Sequence, residues 1–138
     1  MIETYILLGT LGVHSIEDIR QRQITITITL FSGILGVLLH LIFQNKSIYE
    51  MLAGMLPGVF LLAVSLLTSG GIGMGDGMVF MLTGLYLGLA ENLFLMIFSF
   101  LLAAAAGLFV LAIQRDKGNE RLPLVPFLLL AYVFRMIW

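Results

Sequence analysis

The chain contains no cysteine among its 138 residues. This absence excludes disulfide bonds, thiolate metal ligands and a cysteine nucleophile. Charged residues are also scarce, at 11% of the chain, and the formal net charge is −1. Without a basic stripe to hold a phosphate backbone, we expect no nucleic-acid partner. Only two histidines are present, and they are far apart, so we also expect neither a metal site nor another cofactor.

Apolar sequence is what the chain has in abundance. Hydrophobic residues make up 60% of it, and the mean hydropathy is +1.09. A soluble domain of this length needs far more polar surface. Six stretches approach or reach the roughly 17–25 residues that a membrane helix requires. They are Ile2–Ile16, Ile24–Phe43, Met51–Thr68, Met78–Ala90, Leu93–Ile113 and Leu122–Trp138. We therefore predict an all-α membrane protein, a polytopic bundle of about six transmembrane helices in a single domain over residues 1–138.

Two of these stretches have competing interpretations. The first begins with an acid, Glu3, where a signal peptide has basic residues, so we interpret it as a membrane helix and not as a cleavable leader. Residues 24–30 alternate isoleucine with threonine, a pattern typical of a strand. A lone strand edge cannot lie exposed in lipid, however, and threonine in a membrane helix can bond a carbonyl of its own turn. We therefore predict a helix there.

The basic residues predict the orientation of the bundle. Five of them fall in the first and fifth loops and two on the opposite side, namely Arg20, Arg22, Arg115, Lys117 and Arg121 against Lys46 and Arg135. The positive-inside rule then puts the odd-numbered loops in the cytoplasm and both termini outside a plasma membrane. Loops one and three share a side, so Asp18 and Asp76 are expected at the cytoplasmic ends of their helices.

Asp76 is the first candidate for a functional residue. It is the only acid between Glu50 and Glu91, two acids that we expect to be solvated in outer loops. An ionisable group at membrane depth is costly unless it has a function. Asp18 is the expected partner of Asp76. Two acids in a low-dielectric pocket cannot both ionise cheaply, so they share a proton. One carboxylate can then activate a water while the other, protonated, polarises a peptide carbonyl, which is the chemistry of aspartic proteases.

Structural roles compete with this chemistry at each position. Asp76 could instead be the N-cap of the fourth helix, and Asp18 could belong to an interfacial charge cluster with Arg20 and Arg22. Glycines around Asp76 could serve helix packing. His14 lies one turn before Asp18 and either modulates the acid pair or makes a hydrogen bond within the bundle. Three methionines could line a groove for an apolar substrate or could be ordinary packing: Met74, Met78 and Met81.

Three segments resemble one protein family. Gly71-x-Gly73-x-Gly75-Asp76 resembles the G-x-G-D signature of the intramembrane aspartyl peptidases of the type IV prepilin and preflagellin type. The run from Asp18 through Arg20 to Ile24 resembles the other catalytic segment of that family. The third segment, Leu122 to Phe127 with its prolines Pro123 and Pro126, resembles the stretch that opens the last helix of those enzymes.

The resemblance implies an enzyme that cleaves the leader from pilin-like precursors at the cytoplasmic membrane face. Asp18 and Asp76 correspond to its two catalytic aspartates, and no metal is implied. The absence of cysteine and of an extra N-terminal segment indicates a short, peptidase-only form without methyltransferase activity. The chain differs from the family where Thr25 replaces the usual proline and Met78 the usual lysine. The alternative is a non-catalytic membrane protein, either a degenerate homologue, a scaffold or a small transporter.

Overall fold

The computed structural model describes residues 2–21, 23–44, 46–69, 73–113 and 123–138. Within these ranges the chain forms six helices and no strand. The helices are α1 (Ile2–Gln21), α2 (Ile26–Phe43), α3 (Ile48–Leu67), α4 (Met74–Leu87), α5 (Leu89–Ile113) and α6 (Val125–Ile137). Three of them, α2, α3 and α5, are long and apolar enough to cross a membrane, and α4 and α6 are shorter apolar helices. The predicted fold class, an all-α membrane bundle of six helices, is confirmed.

The threonine-rich start of the second stretch is helical, as predicted. The hydroxyl of Thr29 donates to the carbonyl oxygen of Thr25, 3.2 Å away, so it satisfies itself within its own turn. The residues that α2 buries are all small or polar: Thr29, Ser32, Gly36 and His40. The large apolar side chains of this helix are exposed on its other side, as expected for a helix that turns its apolar face to lipid.

Helices α3 and α4 form an antiparallel pair with unusually close backbones. A Cβ atom on either Gly54 or Gly84 would collide with the carbonyl of the other, and a Cβ on Gly58 would meet the backbone of Gly77 and Met81. Small residues permit such close approach, and dispersion contacts between the two backbones then hold the pair together. The pair matters for function because α4 carries Asp76.

Asn92 of α5 makes hydrogen bonds to both α3 and α4. Its side-chain amide donates to the carbonyl oxygens of Gly54, at 2.8 Å, and Phe80, at 2.9 Å. Its amide oxygen accepts from the hydroxyl of Thr83 at 2.6 Å. Asn92 is fully buried, and these three bonds fill most of the hydrogen-bonding capacity of its amide. The apolar core beside it draws on α1, α4, α5 and α6, through residues such as Leu11, Phe80, Leu95 and Leu128.

The helices α1, α3, α4 and α5 each extend beyond one end of their predicted apolar stretch, whereas α2 and α6 are shorter than theirs. The largest functional consequence is in α4, which begins at Met74 and not at Met78. Hydropathy falls over this first turn because it contains two glycines and an acid, yet the backbone is already helical there. Asp76 therefore lies inside the first turn of α4 and not in the loop before it.

Candidate active site

Asp18 and Asp76 line one cavity of about 570 Å³ at the end of the bundle where α1 finishes and where α4 and α6 begin. Four chain segments form its walls: the end of α1, the α1–α2 connection, the first turn of α4 and the residues that open α6. The lining residues are Asp18, Gln23, Ile24, Ile26, Gly73, Met74, Gly75, Asp76, Met78, Pro123 and Leu124. The walls are mostly apolar, and the polar side chains among these residues are the two aspartates and Gln23.

Asp18 projects from the last turn of α1 and is only 8% exposed. Its Oδ2 atom accepts a hydrogen bond from the backbone N–H of Val125, 3.1 Å away. Val125 is the first residue of α6, and amides in the first turn of a helix have no partner within that helix. Asp18 supplies one, and the positive end of the helix dipole faces the carboxylate. Both interactions favour a negative charge on Asp18.

Asp76 is half-buried in the first turn of α4. The N-cap of this helix is Gly73, which has no side chain to cap with, and the N–H of Asp76 donates to the Gly73 carbonyl at 3.2 Å. The alternative interpretation of Asp76 as the N-cap is therefore wrong. The Asp76 carboxyl lines the same cavity as Asp18. The fold thus brings together two acids that are 58 positions apart in the sequence.

The glycines before Asp76 keep this part of the cavity wall close to its neighbours. A Cβ on Gly75 would lie 3.0 Å from Cδ1 of Ile24, and one on Gly73 would lie 3.1 Å from Oδ2 of Asp76. Both separations are shorter than ordinary van der Waals contact. A side chain at either position would push on the α1–α2 connection or on the acid itself. The first glycine of the motif, Gly71, lies outside the described residues.

The remaining predicted site residues fall into two groups. Pro123 lines the cavity, whereas Pro126 lies in the first turn of α6, and Arg20 is exposed in the last turn of α1. Neither Arg20 nor Pro126 is among the described residues that form the cavity wall. Of the three methionines, Met74 and Met78 line the cavity, while Met81 lies on α4 beside Gly58 of α3.

His14 has a structural role and does not contact the cavity. It is fully buried, and its ring nitrogens lie 3.0 Å from the Thr29 hydroxyl and 3.0 Å from a carboxylate oxygen of Glu17. This agrees with the prediction of a hydrogen bond within the bundle. The sequence gives no sign of the role of Glu17, because an acid beside Asp18 near a helix end has no pattern that separates it from a solvated charge.

Several charged residues lie at the opposite end of the bundle. Lys46 donates a hydrogen bond to the Leu87 carbonyl, and Arg135 pairs with Glu91 at 2.5 Å. The expectation that Glu91 is simply solvated is therefore wrong, although 41% of its side chain remains exposed. Within the described ranges, no three histidine, aspartate or glutamate side chains converge in a way that would hold a metal ion.

The chain was compared with models of known protein families. A model of the type IV leader peptidase family matches residues 5–109 of the 138, which include both aspartates. The curated proteins and the solved structures gave no match to this chain. The matched segment ends before α6, so Pro123 and Leu124, which line the cavity, and the Val125 amide, which bonds Asp18, lie beyond it. Since the match covers well over half of the sequence, the chain belongs to the type IV leader peptidase family.

Proposed function

We propose that this protein is an aspartic endopeptidase in which Asp18 and Asp76 together activate a water molecule. The observation that carries the proposal is that both acids, from different helices, line one largely apolar cavity. An apolar environment makes it unfavourable for both acids to be charged at once, so the pair holds one proton. A pair in that state has both a base and an acid available for peptide hydrolysis.

The surroundings of the two acids indicate which one is the general base and which one carries the proton. The Val125 amide and the N-terminus of α6 stabilise charge on Asp18, so we assign Asp18 as the general base. Asp76 then carries the proton and hydrogen-bonds the carbonyl oxygen of the scissile peptide. Asp18 takes a proton from water while the oxygen of that water attacks the carbonyl carbon. Asp76 transfers its proton to the developing oxyanion. When the C–N bond breaks, Asp18 returns its proton to the leaving nitrogen and Asp76 regains one from the tetrahedral intermediate.

The proposed substrates are type IV pilin-like precursors, cut between the leader and the hydrophobic helix. A cavity open at the end of the bundle and walled by Ile24, Met74 and Met78 suits an apolar segment that enters from the membrane side. This hydrolysis requires neither a redox cofactor nor a metal ion.

We further propose that the cavity faces the cytoplasm and that both ends of this chain lie on the outer face of the plasma membrane. Lys46 and Arg135, the two basic residues assigned to the outer side, both line a second cavity of about 230 Å³. Glu3 and Glu91 also line that cavity, so these cations lie among acids of the protein. Arg20, by contrast, is exposed at the end that holds Asp18. The asymmetry supports a cytoplasmic position for the aspartates.

The test is cleavage of a pilin-like precursor by the purified protein in detergent, read as a loss of mass equal to the leader. We expect Asp18→Asn and Asp76→Asn each to reduce cleavage by at least about 10³-fold, because each removes one half of the acid–base pair. The matched control is Glu50→Gln, the same carboxyl-to-amide change in the exposed capping box that begins α3, which should cleave normally.

Helical circular dichroism and the elution volume of each variant establish that it is folded. A folded Asp18→Asn or Asp76→Asn protein that still cleaves at the normal rate would refute the assignment of the pair. If the unaltered protein cleaves none of the precursors offered in detergent or in lipid vesicles, the non-catalytic alternative becomes the better interpretation.

A further inference from the structure

A closed set of hydrogen bonds lies directly behind the cavity wall. Oε1 of Glu17 accepts from the Thr25 hydroxyl at 2.5 Å, and its Oε2 accepts from the Thr25 backbone N–H at 3.2 Å. Oε2 also lies 3.0 Å from Nδ1 of His14, whose Nε2 lies 3.0 Å from the Thr29 hydroxyl. Thr29 in turn bonds the Thr25 carbonyl. We call these four residues, His14, Glu17, Thr25 and Thr29, the Glu17 clasp.

The clasp joins the end of α1 to the start of α2, the connection that forms one side of the cavity. Thr25 lies between Ile24 and Ile26, and both of these isoleucines line the cavity. Ile24 also lies against Gly75, the residue just before Asp76. The chain of contacts therefore runs from Glu17 through Thr25 and Ile24 to the turn that carries the second aspartate.

We infer that the Glu17 clasp is a positioning element of the active site, which fixes the α1–α2 connection against Gly75 and so sets the separation between the walls that carry Asp18 and Asp76. This inference rests on the proposed peptidase function. None of the four residues of the clasp lines the cavity. They act through Ile24 and not by contact with the substrate.

His14 and Thr29 are buried, but the exposure of the Glu17–Thr25 half of the clasp separates a positioning role from a stabilising one. Thr25 is exposed and the Glu17 side chain is 20% exposed, so water competes for their hydrogen bonds in the unfolded and partly opened states. Such bonds contribute little to global stability. These bonds do fix the position of the α1–α2 connection, since Glu17 bonds both the backbone and the side chain of Thr25. Loss of the clasp should therefore reduce turnover more than it reduces stability.

The first experiment measures precursor cleavage by Glu17→Ala, Thr25→Val and Thr25→Ser. Positional errors of about 1 Å in a catalytic site can cost roughly 10²-fold in rate, so we expect Glu17→Ala and Thr25→Val to lower kcat by about 10- to 100-fold. KM should change by no more than about twofold, because the apolar wall that holds the substrate remains. Thr25→Ser keeps the hydroxyl and should retain most of the activity. Normal kcat in both folded Glu17→Ala and Thr25→Val would overturn the inference.

The second experiment reads the geometry without any substrate. The chain has no cysteine, so Ile24→Cys with Gly75→Cys introduces a single possible disulfide. A Cβ on Gly75 would lie 3.4 Å from Cβ of Ile24, close to the roughly 3.5–4.5 Å that a disulfide requires. We expect rapid oxidation of this pair, and a several-fold slower oxidation when Glu17→Ala is added. Adding Glu50→Gln instead should leave the oxidation rate unchanged.

The two readouts also separate this inference from the proposed function. If the unaltered protein cleaves no precursor, the peptidase proposal fails, yet the rate of oxidation still reports whether Glu17 holds residue 24 against residue 75. If Glu17→Ala leaves that rate unchanged, the clasp does not position this wall, whatever the protein cleaves. A drop in oxidation rate together with a drop in kcat supports the inference.

Discussion

Replacing Gly84 with alanine tests whether the close packing of α3 and α4 positions the catalytic acid. A Cβ at this position would collide with the Gly54 carbonyl and would lie 2.6 Å from Nδ2 of Asn92. The first obstacle is backbone, which cannot move aside as the end of a flexible side chain can. The two helices must therefore separate, and Asn92 must give up part of its hydrogen bonding. Both changes displace α4, the helix that carries Asp76.

The size of the effect follows from two opposing contributions. Alanine is a better helix former than glycine by about 0.5–1 kcal/mol, which favours the variant. Overpacking a tight interface costs typically about 1–3 kcal/mol, and a backbone obstacle belongs at the upper end of that range. We therefore expect Gly84→Ala to lower the free energy of unfolding by about 2 kcal/mol. If α4 moves by about 1 Å, precursor cleavage should also fall by roughly 10²-fold.

Gly9 offers a matched control, because it is also a helical glycine, but a Cβ added there would have no atom within 4 Å. Gly9→Ala should leave cleavage unchanged and raise the free energy of unfolding by up to about 1 kcal/mol. Thermal unfolding in detergent, followed by circular dichroism, compares the two variants with the unaltered protein. Equal unfolding midpoints and equal cleavage for Gly84→Ala and Gly9→Ala would refute the idea that contact between the two backbones positions Asp76.

Two further predictions use other parts of the bundle. Asn92→Ala removes three interhelical hydrogen bonds, at roughly 0.6 kcal/mol each in a membrane protein, and should lower the free energy of unfolding by about 2 kcal/mol. The control Ser99→Ala loses one hydrogen bond within its own helix and should lower the free energy of unfolding clearly less. Equal losses of stability in the two variants would contradict the prediction. For the orientation, Arg20→Cys should resist an impermeant thiol reagent added outside intact cells, while Tyr49→Cys, at a position 84% exposed at the start of α3, should react. Labelling of residue 20 from outside would overturn the proposed topology.

The number of helices and the pairing of the aspartates are predictable because both depend on long apolar runs. A run of about 20 apolar residues is a strong signal, since a membrane leaves a chain no other way to satisfy its backbone. Counting such runs is enough to put Asp18 and Asp76 at the same end, and the two acids do line one cavity. The same count places the start of α4 four residues late, because the apolar run begins only after Asp76 whereas the helical backbone begins before it.

The contacts that orient the acids are not predictable in the same way. The bond from the Val125 amide to Asp18 joins residues 107 positions apart and involves a backbone group, which every residue has. No residue type marks the donor in the sequence. The same holds for Gly54 and Gly84, since either glycine alone is equally compatible with a turn, a bend or an exposed face. Only tertiary structure reveals which glycines meet.

Glu17 and Asp18 show how neighbouring acids acquire different functions from their positions on one helix. Consecutive residues of an α-helix point about 100° apart, so Asp18 faces the N-terminus of α6 while Glu17 faces the start of α2. Asp18 lies beside the N-terminus of α6 and in an apolar cavity, whereas Glu17 contacts a threonine and a histidine and has a side chain that is 20% exposed. The negative charge on Asp18, the proposed base, therefore depends on α6, and the shape of the cavity around Asp18 depends on Glu17. A site assembled in this way from four separate segments cannot survive in any pair of helices taken alone, so its activity should require the whole bundle.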